Sequence, residues 1–160
     1  MSSTLRFIEL FVLGTWIGSI IFLSFVVAPG AFGVLSNRDQ AGLMVGHSLA
    51  RLHWLGIVAG VIFLAATALE WANLSRGPSL TAALVLLMML LTYSSQRLVS
   101  RPMAALRQDM GSVDKTPPDD PRRQEFDKLH RLSVRIEGAV LLLGVLGFFI
   151  TVQRISARPQ

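Results

Sequence analysis

Four long apolar runs leave this chain few folds to choose from. Phe7 to Ala28 is interrupted by one charge, Glu9, and Leu52 to Leu69 carries His53 and then no charge before Glu70. Leu80 to Tyr93 continues through Ser94, Ser95 and Gln96 to Leu98, and Gly138 to Val152 closes the series. A helix needs ~20 mostly apolar residues to cross the ~30 Å hydrocarbon core of a bilayer. Inside lipid every backbone N–H and C=O must find its partner within the structure, and only helices or closed barrels meet that condition. The predicted fold is therefore all-α and integral to the membrane: an antiparallel four-helix bundle with helical extensions on one side. The spans are expected at about 7–28, 52–72, 80–98 and 133–153 of a single domain covering 1–160. The first run exceeds the about 7–15 apolar residues of a signal-peptide core, so it reads as a span rather than a cleaved leader.

Composition agrees. The chain is 52% hydrophobic and only 16% charged, where a soluble domain carries about a quarter charged residues. It has no cysteine, which excludes disulfides, thiolate metal sites and thiol catalysis. The basic balance (pI about 11.0) would suggest nucleic acid in a soluble protein. Here the arginines border apolar runs, so anionic lipid headgroups are the expected partner and nucleic acid is not. Lys and Arg also mark cytoplasmic loops. The side holding both termini carries Arg6, Arg76, Arg154 and Arg158, whereas the other eleven of the fifteen cations lie on the opposite side. The expected topology is a multi-pass cell-membrane protein with both termini outside and the larger loops cytoplasmic.

Between the spans, Ser36 and Asn37 offer helix caps, and helix is expected from about Arg38 into the second span. The short turn "NLSRGPS" makes spans two and three antiparallel neighbours. Pro102 marks a break or restart in the third helix. "GSVDKTPPDDP" reads as a solvated loop over about 111–120. Asp120 followed by Pro121 reads as cap and first turn of a helix reaching about Ile155. Asp127 and Arg131 are spaced to pair on its surface.

Function is sought in polar residues inside the apolar slab. Positions seven apart nearly eclipse on a helix. One such stripe is His130, Glu137, Gly144 and Thr151; another is Gly46, His53, Gly60 and Thr67. Small residues at this spacing let membrane helices approach closely. Counting back 17 residues from Glu70 and from Arg154 gives His53 and Glu137, each ~25 Å in at 1.5 Å per residue. The same count along the third span reaches Gln96, beside Tyr93 and Arg97. One layer is thus expected to hold His53, Glu137, Arg97, Gln96 and Tyr93, with His130 further out at the same mouth. Ionisable groups at such depth are costly, paired and commonly functional. A salt bridge that orders the bundle is the structural alternative. Glu9 and Glu70 are expected to reach the headgroups at the other end.

Metal and cofactor chemistry has thin support. His47 and His53 are about 120° apart around the helix, and His130 lies ~10 Å outside His53 by helix rise, so these are weak candidates that do not chelate jointly. Met88 and Met89 fit apolar packing better than soft-metal ligation. Gly14 and Gly18 form a GxxxG, a packing motif of low specificity. No nucleophile–base motif, phosphate loop or HExxH is present. No cofactor is expected, and a non-enzymatic role leads.

Two stretches carry a family resemblance. "LGTWIGSIIFLSFVVAPGAFGVL" places Phe22, Phe25, Pro29 and Phe32 where the first span exits, and "FDKLHRLSVRIEG" couples Phe126, Leu129, His130 and Ser133 to the last span. With four spans in about 150 residues, the chain resembles the transmembrane-protein-205-like family, which in bacteria is a membrane domain of unknown function, DUF4149. The resemblance implies an integral membrane protein without assigned catalysis; eukaryotic relatives are associated with platinum-drug resistance and proposed export. Pro29, Phe32, His130 and Ser133 are the family-like positions, none an established ligand or catalytic residue. The leading expectation is a small transport, export or metal- and drug-stress-resistance component with a polar site near the cytoplasmic membrane edge. A conduction path through so thin a bundle would call for a homo-oligomer. The alternatives are a haem- or metal-binding redox protein using His47, His53 or His130, and a structural partner of another membrane complex.

Overall fold

The computed structural model of the chain describes residues 3–74 and 80–156. Those residues form helices and short connections, with no strand among them. The turn "NLSRGPS", from Ser75 on, and the charges Arg76 and Arg158 lie outside the described residues.

The first helical column is α1 (Ser3–Phe22), a widened turn at Leu23–Val27, and α2 (Ala28–Val34). The cause of the widening is Pro29, second residue of α2. A proline has no N–H to give, and its ring crowds the carbonyl four residues back. Opening the preceding turn to five-residue spacing relieves that clash, and the Ala28 N–H bonds the Leu23 carbonyl. Asn37 starts α3 (Arg38–Leu74), its Oδ1 accepting from the N–H groups of Asp39 at 2.9 Å and Gln40 at 3.2 Å. The third column repeats the first: α4 (Leu80–Ser95), a widened turn at Gln96–Ser100, then α5 (Arg101–Met110). Pro102 therefore neither breaks nor restarts the helix, because the widened turn carries the column through it. Gly111, at φ 68°, ends α5 in a backbone conformation that side chains other than glycine rarely adopt.

The segment after Gly111 is anchored rather than simply solvated. Asp39 accepts from Ser112 Oγ at 2.5 Å and from the Val113 N–H at 2.9 Å. Arg107 donates to the Asp39 carbonyl at 3.3 Å and lies over the buried Phe126 ring. Arg123 donates to the Val113 carbonyl. Asp120 then caps α6 (Pro121–Ser156), accepting from the Arg122 N–H at 2.8 Å. The Arg122 guanidinium, 2.7 Å from Oδ2, holds the Asp120 carboxyl down to about 2. Asp127 pairs with Arg123 at 3.2 Å rather than with Arg131.

α1 packs on α3 and α6, and α4 packs on the same two helices, whereas α1–α4 and α3–α6 make no backbone contact among the described residues. The result is a closed ring of four helices with α3 and α6 on one diagonal. Leu13, Trp16, Ile20, Phe63, Val85, Met88 and Val140 fill its axis. Phe11, Phe25, Leu90, Leu98 and Leu142 point outward. An apolar surface on all four columns suits lipid and would aggregate in water. Each column is long and apolar enough to cross a membrane, and the protein is a multi-pass four-helix membrane bundle.

Glycine makes room for side chains of neighbouring helices inside the bundle at Gly56, Gly60 and Gly144. A Cβ at Gly56 would run into the Trp16 indole, one at Gly60 would meet Met89 at 2.6 Å, and one at Gly144 would meet Ile17 at 2.9 Å. A Cβ at Gly18 or Gly46 would meet nothing within 4 Å, and one at Gly14 would only reach ordinary contact with Phe148 at 3.5 Å, so the GxxxG of α1 is not a tight seam within the bundle.

Candidate functional site

His53 is 2% exposed and stands where α3 faces the bundle axis. Its Nδ1 lies 2.7 Å from Gln96 Oε1, on the widened turn before α5. Its Nε2 lies 3.3 Å from Glu137 Oε2, on α6. Because α3 and α6 are diagonal, the imidazole and carboxyl meet across the axis, with the amide closing the layer from the helix between them. Sequence spacing placed the two residues at equal depth; the structure brings them into contact.

The hydrogen bonds restrict the proton chemistry. With the Gln96 amide oxygen facing Nδ1, that nitrogen carries its hydrogen, because an amide oxygen only accepts. Nε2 and the carboxylate then compete for one further proton. With it, the layer is either an imidazolium–carboxylate pair or a neutral imidazole beside a carboxylic acid; without it, the layer carries a net negative charge. Burial opposes that unbalanced charge. Ser95 Oγ at the end of α4 and Ser100 Oγ in the widened turn are both buried and have no hydrogen-bond partner among the described residues.

Other expected members stay outside this contact. Arg97 is exposed, 5.5 Å from the Tyr93 ring centroid, and donates to the Tyr93 hydroxyl at 3.2 Å; no ion pair joins it to Glu137 among the described residues. Tyr93 is exposed. His47 and His130 are exposed on separate helices, and among the described residues no three His, Asp or Glu side chains gather as a metal site. Of the family-like positions, Ser133 is buried while Pro29, Phe32 and His130 are exposed.

A second polar layer lies at the other end of α3. Glu9 is 4% exposed and Glu70 6%, so both face inward rather than reaching headgroups. Thr67 Oγ1 lies 2.7 Å from Glu9 Oε1 and 3.0 Å from the Phe63 carbonyl. Glu70 Oε1 is buried without a partner among the described residues. A signal for Glu9 was present: Glu9, Leu13, Trp16 and Ile20 follow the spacing of one helix face, and all four are buried. It is weak because α1 is apolar on every side, so hydropathy does not mark which face is inward.

The sequence profile of a domain of unknown function, DUF4149, matches residues 11–112, well over half of the chain. This chain belongs to the DUF4149 family. Comparison with curated proteins and with solved structures finds no match. The matched segment of this DUF4149 chain includes His53, Thr67, Glu70 and Gln96; Glu9 and Glu137 lie beyond its two ends.

Proposed function

We propose that this chain is a non-enzymatic membrane protein whose His53–Gln96–Glu137 layer takes up and releases one proton, serving transport, export or stress resistance. The observation that carries the reading is the contact of a buried imidazole with a carboxyl from the diagonal helix, with an amide fixing its tautomer. Loading the proton changes the charge of a layer that ties α3, the widened turn of the third column and α6 together. A ligand or partner that favours one helix arrangement would thereby be coupled to protonation. Membership of the transmembrane-protein-205-like group, anionic lipids as partners, a homo-oligomeric assembly, and a cytoplasmic placement of the His53 end belong to the same proposal.

A deletion strain challenged with metals, oxidants and cationic drugs tests it. Wild-type protein restores tolerance to the deleted strain, and Glu137→Gln, expressed at the same level, does not. Full rescue by Glu137→Gln, or unchanged tolerance across the panel on deletion, contradicts the proposal.

A further inference from the structure

We propose that Glu9 and Glu70 form a second proton-binding site, separate from the His53 layer and at the opposite end of the bundle. Two carboxyls from different helices, α1 and α3, are each more than nine-tenths buried. One hydroxyl, that of Thr67, reaches Glu9, and its single hydrogen goes either to Glu9 or to the Phe63 carbonyl, so even Glu9 is not assured of a donor. Among the described residues the Glu70 side chain has no hydrogen bond or ion pair, and its Oε1 is sealed from solvent. A buried carboxylate without a donor is among the costlier states a protein can hold, and a second carboxylate nearby raises the cost.

A proton resolves the conflict. Placed on Glu9, it lets that carboxyl donate to Thr67, whose hydroxyl then donates to the Phe63 carbonyl. Placed on Glu70, it neutralises the unpartnered group and leaves Glu9 to accept from Thr67. One proton bound to the pair supports either arrangement, and the site gives it up by losing one O–H bond to water at the membrane edge. Among the described residues the surrounding charges are few. Arg6 on α1 and Arg154 on α6 act on Glu9 through space, as does Glu70. α4 brings no charged side chain to this end, only the buried, unpartnered hydroxyl of Thr81. His53 lies 14 residues before Thr67 on α3, ~21 Å away by helix rise. Trp16, Phe63 and Met88 fill the axis with apolar bulk, so the two sites load separately.

Infrared difference spectroscopy of the full chain in phosphatidylcholine nanodiscs tests this. A Glu137→Gln background silences the carboxyl of the other layer. The expected result is a carboxylic-acid C=O band at neutral pH that shifts in deuterium oxide, fades at alkaline pH, and is lost when Glu9→Gln and Glu70→Gln are combined. Should the combined variant fail to fold, each single variant is expected to move the position or titration midpoint of the band. Absence of the band at neutral pH overturns the site, as does indifference of the band to these substitutions.

Discussion

His53 uses both ring nitrogens, and each bond goes to a different helix. Truncating a partner of such a buried group costs about 1–3 kcal/mol, because the orphaned nitrogen keeps its desolvation penalty. Glu137→Leu is expected to lose that amount in equilibrium denaturation in mixed micelles, whereas Glu137→Gln, still able to donate to Nε2, keeps most of the stability. Equal loss in both variants would mean that shape, not the hydrogen bond, matters at this position. Thr67→Val removes the only donor to Glu9 among the described residues at nearly unchanged volume, and the same measurement should again register about 1–3 kcal/mol. Asp120 offers a pH test outside the membrane. Its folded-state carboxyl titrates at about 2 against an ordinary 3.8. Its contribution is therefore complete above 3.8 and is lost as pH falls through about 2. Amide exchange at Arg122 should accelerate, relative to its intrinsic rate, across that window and not in Asp120→Asn.

The helical elements were the most legible part of the chain. Their lengths follow from apolar runs, and the starts of α3 and α6 follow from Asn37 and from Asp120–Pro121, each of which supplies a side-chain acceptor to orphaned N–H groups. Less legible were the widened turns. Pro29 and Pro102 were visible, but whether a helix stops or opens at a proline depends on packing that holds the column together on both sides. The turn before Pro102 matters because it carries Gln96. Pro102→Ala should let it relax towards regular helix, rotating the amide away from Nδ1 and moving the His53 Nδ1 chemical shift; an unchanged shift would show that the proline does not set the amide. Close packing gives a sharper test. Gly56→Ala forces a methyl against the rigid Trp16 ring and is expected to cost about 1–3 kcal/mol, whereas Gly46→Ala, with open space around it, should be neutral or slightly stabilising by helix propensity. The two substitutions together separate contact from propensity.

At the scale of the whole molecule, chain order arranges the four helices as a ring, and depth counting put His53 and Glu137 level within it. That much of the site could be read because both residues are rare polar interruptions of apolar runs. Its membership could not be read fully. Arg97 shares the depth of Gln96 but is turned outward onto Tyr93, and rotation about a helix axis is set by packing that uniform hydropathy does not encode. Glu9 and Glu70 were assigned to headgroups for the same reason. The absence of cysteine makes topology directly testable with single exposed replacements. If the excess of cations marks the cytoplasm, Thr4→Cys reacts with an impermeant maleimide in intact cells and Lys115→Cys only after permeabilisation; the reverse pattern would invert the assignment. The central claim is that the ring holds one proton between diagonal helices. Nitrogen-15 NMR of the His53 ring in lipid, followed across pH in wild type and Glu137→Gln, tests it most directly. The account predicts an Nδ1 that stays protonated throughout and an Nε2 whose titration changes in the variant; a ring that titrates identically in both proteins, as a free imidazole does, would contradict it.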